Sequence, residues 1–123
     1  MGRETAQRLR DGGHTVIGVD IRSAEVVALS TPAGRKTAAD GVLAASGAGL
    51  DGAVLAAGLG PAPGSDRPRE IAQVNYLGVV DLLASWRTAF ASTERAKVVV
   101  ISSNSSTTVP AVPEPRRPRI ADA

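Results

Sequence analysis

The chain has 123 residues, enough for one modest domain and too few for two. Hydrophobic residues make up 43% and aromatics only 2%, so a core would be built from Val, Leu, Ile and Ala, and with no cysteine, disulfides and thiolate metal sites are excluded, which fits a reducing cytoplasm. The net charge of +2 owes much to Arg116, Arg117 and Arg119, and without aromatics among the basic residues there is no stacking platform for nucleic acid.

The elements follow in chain order. Arg3 to Arg10 reads as a helix with Ala6 and Leu9 on one face, stopped by Asp11-Gly12-Gly13, where glycine supplies a left-handed cap. TVIGVD, Thr15 to Asp20, is a short apolar run that reads as a buried strand, and EVVAL, Glu25 to Leu29, reads as a weaker second one. Ser30-Thr31-Pro32 forms an N-cap with proline in the first turn, and an alanine-rich helix follows to about Ser46. DGAVLAA, Asp51 to Ala57, is a third strand that runs into Gly58-Leu59-Gly60-Pro61. Residues Pro61 to Pro68 form a polar loop. Arg69 to about Ala91 has helical period through Ile71, Val74, Leu77, Leu82, Leu83, Trp86 and Phe90. Gly78 inside that helix costs about 1 kcal/mol against alanine and marks close packing. KVVVI, Lys97 to Ile101, is the fourth strand. From Thr107 no periodicity remains, and prolines and arginines there indicate disorder, so the division is 1–106 for a folded domain and 107–123 for a tail.

No apolar run reaches the roughly 18 residues of a membrane span. MGRETAQRLRDGG has no apolar stretch of the kind a signal peptide needs. The expectation is therefore a chain with neither membrane nor nucleic acid as partner. Apolar strands alternating with helices imply a parallel sheet covered on both faces, and such sheets bind ligands at the carboxyl ends of their strands. Those ends carry Asp20, Gly58 and the serines after Ile101. A glycine opening a helix, Gly2, followed by a strand ending in Asp20, is the back half of a dinucleotide site, in which glycine lets backbone approach a pyrophosphate and the acid meets ribose hydroxyls. An initiator-adjacent spacer and an ordinary strand-end acid are the plain alternative. His14 reads as a loop residue, and Ser102, Ser103, Ser105 and Ser106 have no nearby histidine to activate a nucleophile. Trp86 and Phe90 are spaced for helix packing, and no metal-ligand spacing is present.

Four segments, in order and at matching spacing, resemble the short-chain dehydrogenases/reductases over about Met1 to Pro113. GRETAQRLRDGGHTVIGVDIR is similar to the segment after that family's glycine-rich turn. DGAVLAAG resembles its fourth strand, VNYLGVVDLL its active-site helix and KVVVISSNSS its fifth strand. The resemblance implies a Rossmann-like α/β fold, a doubly wound parallel sheet with the first strand and the C-terminal strands missing. It also implies NAD as cofactor, bound weakly or only vestigially. Gly2, Asp20, Ile21, Ala57 and Gly58 would line that cofactor, with Gly2 as the last glycine of the turn and Asp20 favouring NAD over NADP. Asn75 would help order a proton-relay water, and Ser103 would orient a substrate carbonyl or hydroxyl; a helix-surface amide and a strand-end cap are the plain alternatives for these two.

The departures bear on activity. The chain starts inside the family's TGxxxGxG turn, Ala28 stands where members often carry an acid, and NNAG becomes Leu55-Ala56-Ala57-Gly58. The family's Tyr-x-x-x-Lys is absent: Tyr76 is the sole tyrosine, Val80 stands where its lysine would be, and no lysine follows Lys97. RRPRIADA does not resemble the family's continuation, and a shifted or interrupted reading frame is one reading of it. The expectation is a fragment of an NAD-dependent alcohol dehydrogenase or carbonyl reductase, inactive alone, whose intact relatives take a small alcohol or ketone. A homo-oligomer is compatible with this expectation. A non-catalytic nucleotide-binding or interaction remnant, a decayed gene product, and a fragment of an extended-family nucleotide-sugar epimerase stay open beside it.

Overall fold

The computed structural model describes residues 1–20, 28–47 and 49–103. Helix α1, Gly2–Asp11, carries Glu4 in its first turn and Arg8 and Arg10 in its last, each sign matched to the helix dipole. It ends as its glycines require. Gly13 takes φ 86°, His14 N–H donates to the Leu9 carbonyl and Gly13 N–H to that of Arg10, which together close a Schellman motif. None of its residues is buried; Ala6 and Leu9, expected on one face, are half-buried.

Helix α2 spans Pro32–Ser46, with Thr31 as its cap. The Thr31 hydroxyl accepts from Gly34 N–H at 3.0 Å and donates to the Ala28 carbonyl at 3.2 Å, so one side chain ties the incoming turn to the first helical turn. Ala28 comes so close that a Cβ on Gly34 would overlap its carbonyl. Strand β1, Gly52–Leu55, follows, then α3, Arg67–Ala72. A π-helical turn at Gln73–Leu77 leads into α4, Gly78–Ala91, and strand β2, Lys97–Val100, closes the described fold.

The two strands pair in parallel, Gly52 opposite Lys97 and Leu55 opposite Val100, with bonds from Lys97 N–H to Asp51 O and from Ile101 N–H to Leu55 O extending the ladder. Parallel pairing requires a crossover, which α3, the π turn and α4 supply. The core lies between α2 and α4: Leu29, Ala38, Ala39, Val42, Val74, Leu82 and Trp86 are buried together, with Ala53 and Leu55 of β1 packed against them. Alanines on α2 let the indole approach closely, and Trp86 Nε1 donates to the Ala39 carbonyl at 3.2 Å. Phe90 meets Trp86 edge-on, centroids 6.5 Å apart. No helix among the described residues is long and apolar enough to cross a membrane.

Two strand expectations are corrected. Thr15–Asp20 forms no strand: Val16 and Val19 are half-buried and Val19 packs on the core, yet no neighbouring strand offers its backbone a ladder. Of Glu25–Leu29, residues 25–27 lie outside the described residues, and Leu29 sits in a turn and is buried there. The other two strands are shorter than expected, ending at Leu55 and Val100. The long helix begins at Arg67 and is interrupted by the π turn. The tail 107–123 lies outside the described residues.

Candidate functional site

The carboxyl ends of β1 and β2 face the start of α1 and the π turn. After Leu55 the chain passes through Ala56 and Ala57 to the loop Gly58-Leu59-Gly60, and after Val100 it reaches Ser102 and Ser103. The amides of Gly2, Arg3 and Glu4 precede the first helical bond, Thr5 N–H to Met1 O, and are the donors a helix start offers to an anion. Gly2 stands beside Ala56: a Cβ on Gly2 would lie 3.7 Å from that of Ala56, with nothing else within 4 Å. Protein packing alone therefore leaves room for a side chain at Gly2, and the space beyond it is open.

Gly58 stands beside Asn75, where its Cβ would lie 3.6 Å from Asn75 Oδ1. Asn75, the middle residue of the π turn, uses its whole amide on the loop. Oδ1 accepts from Leu59 N–H at 2.8 Å and Nδ2 donates to Leu59 O at 3.0 Å. The side chain thus acts as a one-residue strand partner for Leu59. Arg67 Nε adds a bond to Gly60 O at 2.9 Å, so consecutive loop residues are held from α3 and from the π turn. Asn75 is exposed, but it is not an idle surface amide.

The expected residues fall into two groups. Gly2, Ala57, Gly58 and Asn75 lie on or beside the elements that converge at the end of β1. Asp20 is exposed at the end of an extended segment, and Ser103 is exposed beyond the end of β2. Ile21 lies outside the described residues. Tyr76 neighbours Asn75 in the π turn and is 66% exposed. Among the described residues no group of three or more His, Asp and Glu is placed to hold a metal ion.

Arg35 is the residue sequence reasoning missed. It is 4% exposed, the one buried charged residue among those described. Its Nε donates to Asp81 Oδ2 at 2.6 Å and its Nη1 to Leu29 O at 3.0 Å and Gln73 Oε1 at 2.9 Å. The signal was present in the spacing: Arg35, Ala38, Ala39 and Val42 occupy i, i+3, i+4 and i+7, which puts a guanidinium on the buried face of α2.

No family model matches the chain. It is 42% identical over 107 residues to a 3-alpha-hydroxysteroid dehydrogenase/carbonyl reductase of Comamonas testosteroni, a match covering 86% of this chain and 41% of that protein. A crystal structure of the 3-alpha-hydroxysteroid dehydrogenase from Pseudomonas sp. B-0831 complexed with NADH superposes with a TM-score of 0.74 at 38% identity. That match also covers 86% of this chain and 41% of the other. The chain thus spans about two fifths of the length of these relatives.

Proposed function

From the premise that the chain belongs to the short-chain dehydrogenase/reductase family, we propose that residues 1–103 build part of an NAD site from a hydroxysteroid dehydrogenase or carbonyl reductase. In the whole protein, hydride would pass between NAD(H) and a secondary alcohol or ketone, steroids being the substrate class that the relatives' names suggest. The observation that carries this reading is the convergence of the α1 start, Ala56, Gly58 and Asn75 at the end of β1.

The residues present fit the ribose and pyrophosphate part of a dinucleotide. Amides at the start of α1 donate to pyrophosphate oxygens, open space at Gly2 admits the backbone approach, and Asp20 accepts from the adenosine ribose hydroxyls. Asn75 holds the Gly58–Leu59 backbone as a wall beside the cofactor. Ser103 hydrogen-bonds the substrate oxygen and orients it. Bound NAD would supply hydride acceptance. The proton that leaves the alcohol needs a general base, and these residues hold no Tyr-x-x-x-Lys to supply one. That absence favours a second reading, a nucleotide-binding module without turnover, in which the same residues bind and release dinucleotide.

NADH fluorescence titration of the 123-residue chain tests the binding shared by both readings. NADH should bind more tightly than NADPH, because the Asp20 carboxylate repels a 2′-phosphate, and Asp20→Ala should narrow that gap about tenfold, or about 1.4 kcal/mol. Equal affinity for the two cofactors in the wild type would remove Asp20 from the site.

A further inference from the structure

Arg35 grips the segment that carries Asn75 on both sides. Gln73 opens the π turn and Asp81 lies in the first turn of α4, and both accept from the same guanidinium. Between them, Gly78 N–H reaches back to Gln73 O, the bond that makes the turn one residue wider than an α-helical turn. A π turn is a rare local form with weaker intrinsic support than the helix on either side. Slipping to regular helix would shift the register by one residue and swing the Asn75 side chain by about 100° around the axis. Asn75 would then leave Leu59, whose N–H and C=O it now pairs.

The same guanidinium is anchored to α2 and to the Leu29 carbonyl, which keeps it from following such a slip. Its planar fork serves three acceptors in fixed directions, a geometry a lysine ammonium does not reproduce. Sealed in the core, it has no water with which to replace a lost partner.

We propose that Arg35 is a positioning residue for the candidate cofactor site: by clamping Gln73 and Asp81 it fixes the π register, which places Asn75 and through it the Gly58–Leu59 backbone. Its functional consequence rests on the dinucleotide reading; the positioning itself does not.

The test is nuclear magnetic resonance on the 15N-labelled 123-residue chain, comparing wild type, Arg35→Lys, Gln73→Leu and the double variant. Gln73→Leu leaves Arg35 its bonds to Asp81 and Leu29, so α2 and α4 stay joined. In each single variant the Asn75 side-chain amide should move toward the resonance of a solvated amide, and the Leu59 amide should exchange about tenfold faster. The Ile101 amide, bonded to Leu55 O, and the Trp86 indole N–H, bonded to Ala39 O, should keep their wild-type rates. The double variant should be no looser at Leu59 than the looser single one, because both remove one contact. Unchanged Leu59 exchange in Gln73→Leu overturns the proposal, and so does equal acceleration of Leu59, Ile101 and Trp86, which would make Arg35 mere glue between helices. An NADH titration separates the two layers. Affinity falling with Leu59 protection supports both, whereas a loosened Leu59 with wild-type NADH affinity overturns the loop as a cofactor wall and leaves the clamp intact.

Discussion

Replacing Trp86 by phenylalanine probes the contact on which the fold depends most. Trp86 is 5% exposed and joins α4 to α2 in two ways, through ring packing and through the bond to the Ala39 carbonyl. Phenylalanine keeps the ring beside Phe90 and gives up roughly 40 Å² of buried surface, about 1 kcal/mol at about 25 cal/mol per Å². The lost hydrogen bond adds about 1 kcal/mol. That figure sits toward the low end for an orphaned group because Ala39 lies inside α2, where its carbonyl keeps its helical partner one turn on. The expected loss is therefore about 2 kcal/mol for Trp86→Phe, against about 3–5 kcal/mol for Trp86→Ala, which also opens a cavity. Urea unfolding followed by far-ultraviolet circular dichroism measures both, since Trp86 is the sole tryptophan and its fluorescence vanishes in the variants. A Trp86→Phe midpoint equal to wild type, or equal losses for Phe and Ala, would refute the assignment of α2–α4 cohesion to this residue.

Gly34→Ala should destabilise by about 1–3 kcal/mol despite alanine's better helix propensity, because the added methyl must displace the Ala28 carbonyl; a gain in urea midpoint would contradict the close approach. Thr31→Ala should cost about 1 kcal/mol, with Thr31→Ser restoring most of it, read by the same denaturation curves. Purified 123-residue chain should form no NADH from NAD over a panel of secondary alcohols and hydroxysteroids; turnover abolished by Ser103→Ala would show that some other group moves the proton.

Local chemistry was legible in the sequence and long-range pairing was not. Thr31-Pro32 fixed the start of α2 and Gly12-Gly13 the end of α1, because caps act over a few residues and need no distant partner. KVVV and GAVL read correctly as strands, since each has the other as a partner. TVIGVD carries the same apolar signal and forms no strand, because an apolar run does not encode whether a neighbour stands beside it. The π turn escaped because one inserted residue leaves Val74, Leu82 and Trp86 still on a buried stripe. Within the site, chain order placed Gly2, Gly58 and Asn75 correctly at the strand ends. What Asn75 does there, pairing both backbone groups of Leu59, depends on a loop sixteen residues away. Arg35 was hidden for a related reason: a charge on an apolar face is explained only by acceptors that arrive from Gln73 and Asp81.

The parallel ladder also dictates an order of events. Residue 52 finds residue 97 only after everything between them has been laid down, and the two strands contribute just four residue pairs. Closing so long a loop for so short a ladder is entropically unrewarding unless the intervening chain is already compact. Docking of α4 onto α2, through Trp86 and Arg35, must therefore come first and carry the second strand to its partner. On a ribosome, the segment around Ala53 and Leu55 would emerge and wait with no strand to join until Val100 cleared the exit tunnel. For that interval the growing chain would be a helical intermediate with a latent sheet, and its yield would depend on how quickly α4 is synthesised and docked.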